Sequence, residues 1–399
     1  MVSKQTLEDI KNSSAVRAMF VEGQKLAEKV GVENVFDFSL GNPMTEVPKA
    51  YTQALLEIIQ EEKSSDIHGY MDNVGYPQVR QAIADNLNER FDTAFNANNI
   101  IMTVGAAGAM NVVLKTVFDE KDELIVFAPY FMEYRSYCNN WKGVLIAVDP
   151  DYRTFQPDFV DLEHKITAKT KAVIINNPVN PTGVLYTEET IKKIVEILEK
   201  KQAEYAHEIY LISDEPYREL VYDGKSAVFL TKYYKNTFVA YSFSKSLSIP
   251  GDRIGYLVIP DEMADFDTIS AGLAIANRTI GFVNAPSLMQ KAVARCLKER
   301  TDIAFYDRNR KFIYKSLKAL GFTCIKPDGC FYLFLKSPVS DEAKFTAAAK
   351  KYNIILVNGT SFSCSGYVRL AYCVSYEMIE RSLPAFEKLA KEYGLLSEK

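Results

Sequence analysis

The middle of the chain alternates between short, unbroken apolar runs and longer stretches of helical period. This alternation restricts the possible folds more than any other feature of the sequence. Asp122 to Ala128, Gly143 to Val148, Lys171 to Asn176, Ile209 to Asp214, Thr237 to Ser242 and Ile254 to Ile259 all read as strands, and Thr187 to Glu204 reads as a helix opening Thr-Glu-Glu. Continuous apolar strands separated by helices build a mostly parallel sheet covered on both faces. Ligands of such sheets sit beyond the carboxyl ends of the strands. Motifs at strand ends are therefore where chemistry is sought.

The character changes from about Phe282. Asn284 to Lys298 and Asp302 to Leu320 read as long helices. Short strands follow at Phe331 to Leu335, Ile354 to Val357 and Tyr367 to Ala371, and a last helix covers Ser375 to Tyr393. Phe36 to Leu40 reads as a short strand that joins this second unit. The expectation is a large domain over 46–282 and a smaller α+β domain made of 1–45 and 283–399. With 399 residues, 48% of them apolar, the chain is long enough to bury two such cores.

Several classes of function are disfavoured. The net charge of −4 is dispersed and gives no footprint for nucleic acid or anionic lipid. The longest apolar runs, Leu124 to Ala128 and Val144 to Val148, have strand length, far short of the roughly 18–20 residues that span a bilayer. Met1 to Glu8 lacks the apolar stretch of a signal peptide, so a cytoplasmic protein is expected. The six cysteines form no CxxC pair and read as reduced thiols. The three histidines, 68, 164 and 207, are scattered, so neither a metal site nor a histidine-based triad is expected.

The most informative segment is SFSKSLSIPGDRIG, residues 242–255, which follows a β-branched and aromatic strand. A cofactor that is both an aldehyde and a phosphate ester needs an amine and a set of donors around a dianion. Lys245 can supply the amine. Ser242, three residues before it, can supply a hydroxyl, and Arg253, eight residues after it, a guanidinium fork. A lysine taken alone is ordinarily a solvated surface residue; the spacing of all three after a strand argues otherwise.

This segment resembles the lysine signature of the class I/II aminotransferases of pyridoxal-5′-phosphate (PLP) fold type I, aspartate-aminotransferase-like. Other motifs of that family occur in order from about Leu40 to Arg369. The resemblance implies an α/β fold whose large domain carries a mostly parallel seven-stranded sheet, beside a smaller α+β domain. It implies PLP held on Lys245 through an imine.

Asp214, in ISDEPY at a strand end, matches the carboxylate that pairs with the pyridine nitrogen. A carboxylate there favours the protonated ring, which is the electron sink. Tyr217, three residues on, matches the tyrosine that donates to the cofactor's O3′. Asn180, in NPVNPTG (177–183), matches the asparagine bonded to the same oxygen; by itself that segment reads as a double turn. Gly105, Ala106 and Ala107, in VGAAGA before a helix over Ala109 to Phe118, match backbone donors of the phosphate cup. The cup departs from the family in lacking a hydroxyl, a load that falls on Ser242 and Ser244. Phe131, in Pro129-Tyr-Phe131, matches the aromatic over the ring face, with Tyr130 the alternative. Tyr70, in GYMDNVG, matches a tyrosine that reaches a partner's phosphate, which implies a homodimer with shared active sites.

For substrate, Arg369 in YVRLA matches the clamp on the α-carboxylate. Gly41 in SLGNP matches a glycine whose backbone approaches the substrate, and Asn180 contacts the same carboxylate. Arg278 lies one residue off the spacing of a distal-carboxylate arginine supplied by the neighbouring subunit; capping a helix C-terminus is its other reading. Together these imply ping-pong transfer between an L-amino acid, with aspartate favoured, and 2-oxoglutarate. Lys245, Asp214 and Tyr217 are the expected catalytic residues. The rivals are a lyase, decarboxylase or cyclopropane-forming synthase on the same fold, or a transaminase of alanine, aromatic or broad specificity. A ligand-sensing module is a more distant rival, for which an intact Lys245 is unneeded.

Overall fold

A computed structural model describes residues 15–396, together with 2, 3, 6, 7 and 10. The expectations for Met1 to Glu8 and for the first part of the 1–45 unit fall partly outside the described residues. In chain order the strands are β1 (Phe36–Asp37), β2 (Ile100–Thr103), β3 (Glu123–Phe127), β4 (Val144–Val148), β5 (Thr170–Asn176), β6 (Tyr210–Asp214) and β7 (Thr237–Ser242). They continue with β8 (Gly255–Val258), β9 (Thr323–Cys324), β10 (Tyr332–Lys336), β11 (Ile354–Ile355), β12 (Val357–Asn358) and β13 (Tyr367–Ala371).

Seven of them form one sheet in the order β2-β8-β7-β6-β5-β3-β4. Only β8 runs antiparallel to its neighbours, β2 and β7; the other pairings are parallel. The expected mostly parallel seven-stranded sheet is therefore present. Every residue of β6 and β7 is buried, which is why these strands read as unbroken apolar runs rather than alternating ones. Thr187 caps the helix Glu188–Tyr205, its hydroxyl accepting from the Thr190 amide at 3.1 Å, a contact of about 1 kcal/mol.

The register of the central strands sets up the site. Asn176 at the end of β5 lies opposite Asp214 at the end of β6, and Asp214 lies opposite Ala240 of β7. The carboxyl ends of β5 and β6 are thus brought level, and β7 runs two residues further to Ser242. Just beyond them, the Arg218 guanidinium sits 4.4 Å from the Tyr241 ring centroid and pairs with buried Glu215. This pins the turn after β6 against β7.

The later segment forms an antiparallel sheet in the order β12-β13-β10-β9, while β1 pairs in parallel with β11. Its core gathers Phe38, Tyr306, Phe331, Leu370 and Phe386, and it takes in Tyr217 and Leu220 from the segment after β6. The helix Ser287–Arg295 packs instead with Lys49–Glu61, through Tyr51, Ile58, Ala292 and Val293.

Two local differences from the sequence reading have physical causes. The strand expected over Phe36 to Leu40 stops at Asp37, whose carboxylate accepts from the Ser39 amide at 2.8 Å and competes with the ladder. The helix expected from Ala109 begins at Gly105, which enters with φ 65°. That left-handed entry suits glycine and moves the helix N-terminus to the cavity described next.

Candidate active site

Beyond the carboxyl ends of the central strands lies a cavity of about 340 Å3. Its wall includes Gly41, Ala106, Ala107, Phe131, Asn180, Asp214, Tyr217, Ser242, Ser244, Lys245, Arg253 and Arg369. Residues spread over more than 300 positions thus converge on one concavity of the size that holds a small ligand.

Lys245 stands on the short helix Phe243–Ser246 that continues β7. Ser242 caps it, accepting from the Ser244 amide at 3.2 Å. Lys245 Nζ donates to the Gly41 carbonyl at 2.8 Å and lies 5.5 Å from the Phe331 ring centroid. Burial pushes its amine down to about 8; the Cys373 thiol pulls the other way, and the Arg253 and Arg369 guanidiniums reinforce the fall. Its neutral, nucleophilic form is therefore far more available near neutral pH than that of an exposed lysine.

Asp214 is buried at the floor. Its Oδ2 accepts from the Tyr134 hydroxyl at 2.5 Å and from Asn176 Nδ2 at 3.4 Å. Its Oδ1 is buried with no partner. Burial pushes this carboxyl up to about 7; the Tyr134 hydrogen bond opposes that rise and Glu215 adds to it. A buried carboxylate oxygen without a donor is costly and calls for a missing partner.

At one end of the cavity, the first turn of the helix Gly105–Val117 presents Ala106 and Ala107. A Cβ on Gly105 would lie 2.8 Å from Arg253 Nη2, so the guanidinium rests against the bare backbone. The Ser242 hydroxyl donates to the Ser244 hydroxyl at 2.8 Å, both buried beside them. A helix N-terminus, two hydroxyls and an arginine form a setting for a dianion.

Elsewhere in the wall, Arg369 of β13 is buried. Its Nη1 donates to Asn180 Oδ1 at 3.1 Å and its Nη2 to the Ser39 carbonyl at 2.6 Å, while Nε has no partner. The guanidinium stacks on Tyr332 and Phe362, 4.4 and 4.8 Å from their centroids. Asn180 is fixed in turn by its own amide, which donates to Asn176 Oδ1 at 2.7 Å. Tyr217 and Tyr332 share a hydrogen bond of 2.9 Å between their hydroxyls. Burial, with Tyr332 adding, holds the Tyr217 phenol well above its ordinary range.

Phe131 lines the cavity, whereas Tyr130 turns away and bonds Arg135 and Ser363 through its hydroxyl. Tyr70, 94% exposed, and Arg278, also exposed at the end of the helix Phe266–Asn277, lie outside the cavity wall. Sequence reasoning passed over Tyr134, Tyr137, Asn176 and Tyr332, all of which line the cavity. Asn176 was signalled by its place at the end of an apolar strand. Tyr134 follows Phe131 at helical spacing, but nothing in the sequence says what its hydroxyl meets.

This donor set fits PLP. An amine of depressed basicity, an unpartnered buried carboxylate oxygen, an anion cradle and an aromatic wall are the features a phosphorylated pyridine aldehyde requires. Among the described residues there is no cluster of groups that could hold a metal ion, and no helix long and apolar enough to cross a membrane.

Comparison with known proteins agrees. An aminotransferase crystal structure from Eubacterium rectale superposes with a TM-score of 0.96 at 44% identity, covering 98% of this chain and 99% of that one. A probable aspartate aminotransferase of Methanocaldococcus jannaschii is 29% identical, covering 94% of this chain and 96% of that protein. A probable aspartate/prephenate aminotransferase of Aquifex aeolicus is 28% identical, covering 90% and 92%. The family described as aminotransferase class I and II matches residues 33–386. The chain belongs to this family of PLP-dependent aminotransferases, with the fold type I architecture.

Proposed function

We propose that the protein moves the amino group of an L-amino acid, aspartate first among them, to 2-oxoglutarate by a ping-pong mechanism. The observation that carries this reading is the meeting of Lys245, Asp214 and Arg369 in one cavity. PLP, when bound, supplies the electron sink for the pair left behind as Cα loses its proton.

The chain's residues divide the remaining work. Gly105, Ala106, Ala107, Ser242, Ser244 and Arg253 would hold the phosphate. Asp214, whose Oδ1 has no partner, would keep the ring nitrogen positive. Tyr217 and Asn180 would donate to the phenolic oxygen, and Phe131 would supply an aromatic wall for the ring. Arg369, with Asn180 and the Gly41 backbone, grips the α-carboxylate and so fixes which Cα bond stands ready to break. The neutral Lys245 Nζ accepts the Cα proton and later gives it back. The buried floor around Asp214 and Tyr217 keeps water from competing.

We infer a homodimer in which Tyr70 and Arg278 serve the partner's cavity, since both are exposed and neither serves its own. We also infer two domains, 46–282 and 1–45 with 283–399, in a cytoplasmic enzyme, the helix Ser287–Arg295 of the second leaning on the core of the first. A second reading is favoured by the wall itself. Among the described residues its cations are Lys245, Arg253 and Arg369, and Phe131, Met132, Tyr137 and Tyr332 add apolar surface. An aromatic or broad-specificity transaminase needs nothing more.

A panel of amino donors with 2-oxoglutarate, run on the parent and on Arg278→Ala, separates the two. The aspartate reading expects kcat/KM for aspartate to fall at least tenfold in Arg278→Ala while phenylalanine is unaffected. Full aspartate turnover in that variant removes Arg278 from the assignment. Absence of aspartate turnover in the parent leaves the aromatic reading standing.

A further inference from the structure

Asp214 is bound unevenly, and the residue responsible is one the family resemblance did not supply. Tyr134 lies on the helix Glu133–Asn140 and is 2% exposed. Its ring packs edge-on to Phe131, 5.7 Å between centroids, and near-parallel to Tyr130 at 6.4 Å. The hydroxyl so fixed donates to Asp214 Oδ2 at 2.5 Å. Asn176 Nδ2 reaches the same oxygen at 3.4 Å but makes its shorter bond, 3.0 Å, to the Asp214 carbonyl. One carboxylate oxygen is thus tied by a rigid phenol, and Oδ1 has no partner at all.

We infer that Tyr134 is a positioning residue for Asp214: its phenol takes up Oδ2, fixes the carboxylate's rotation, and leaves Oδ1 as the single acceptor for the cofactor's ring nitrogen. The inference rests on the proposed role of Asp214. Two physical effects act together. A carboxylate tied at one oxygen loses little rotational freedom when the other binds, so more of the binding energy is kept. A donor on Oδ2 also stabilises the ionised carboxylate in a site whose burial favours the neutral form, and only the ionised form supports a protonated ring. On this inference the effect of Tyr134 on the cofactor runs through Asp214.

That indirectness is what the test reads. PLP dissociation constants are measured by titrating the apoproteins of the parent, Tyr134→Phe, Asp214→Asn and the double variant, with thermal melting of each apoprotein as a check on folding. The expectation is that Tyr134→Phe weakens PLP about tenfold in the parent background and less than twofold in the Asp214→Asn background. The pH midpoint of the cofactor's visible band should also move in Tyr134→Phe and stay put when Tyr134→Phe is added to Asp214→Asn. Equal losses in both backgrounds, or no loss in either, overturn the inference. Should Tyr134→Phe fail to fold, Tyr134→His, which returns a donor, takes its place. Affinity within threefold of the parent is then expected, and a tenfold loss overturns the inference. A parent protein that binds no PLP, with nothing fixed on Lys245 by borohydride, overturns the site reading and this inference together. Binding by the parent without coupling overturns only the role of Tyr134.

Discussion

Lys245 Nζ donates to the carbonyl of Gly41 at 2.8 Å, across 204 positions of sequence. The amine proposed to hold the cofactor is thereby tied to the segment proposed to border the substrate's carboxylate. Gly41 can sit so close because it has no side chain. A Cβ there would fall 2.0 Å from Tyr332 Oη.

Replacing Gly41 by alanine should therefore cost about 1–3 kcal/mol of stability, the range for overpacking a filled site. Urea denaturation checks this. Adding Tyr332→Phe should recover part of the loss, because the nearest atom is removed while the ring carbon at 2.8 Å remains.

The buried amine predicts a pH profile. With Lys245 pushed down to about 8, the rate at which apoprotein takes up PLP should rise with pH through a midpoint near 8. An ordinary lysine would place it above 10. Stopped-flow absorbance followed by borohydride fixation reads the rate and the position. A midpoint above 10 would show that the amine is solvated.

Asp214 predicts the opposite slope, in stability. Its carboxyl is raised from 3.8 to about 7 by burial, so the folded apoprotein binds the proton more tightly than the unfolded chain does. The stabilisation is complete below about pH 4 and is lost as pH climbs through 7, on the order of a few kcal/mol. Asp214→Asn apoprotein should lack that decline. PLP should also abolish it in the parent, since a positive ring beside Oδ1 favours the ionised form.

At Arg369 the change to lysine keeps the charge and loses the planar fork stacked on Tyr332 and Phe362. Hydrogen bonds to charged groups are worth about 1.5–3 kcal/mol. The kcat/KM for every amino donor should fall roughly tenfold to a hundredfold, mostly through KM, with PLP affinity little changed. A loss confined to aspartate would place the α-carboxylate elsewhere.

Much of this was legible in the sequence because the relevant constraints are local. Unbroken apolar runs gave β3 to β7 within a residue or two; strands buried on both faces, such as β6 and β7, have no polar alternation to blur them, and the partly exposed β4 is apolar throughout. Lys245, Asp214, Asn180 and Arg369 stand in motifs at strand ends, where backbone geometry sets which way a residue points. The short strand β2 was not legible, because Ile100–Thr103 is four residues long, preceded by turn-forming asparagines and followed closely by Gly105. Tyr134 and Tyr332 were not legible either. Each lies in an aromatic stretch, and only the packing of distant segments decides which of several tyrosines meets a carboxylate.

The bond from Arg369 to the Ser39 carbonyl spans 330 positions. Most of the central sheet can form from nearby strands, but the proposed grip on a carboxylate exists only after a closure of more than 300 positions. In refolding, native far-ultraviolet circular dichroism should therefore return before any capacity to bind an amino acid, leaving an interval in which the protein is folded in outline yet catalytically silent.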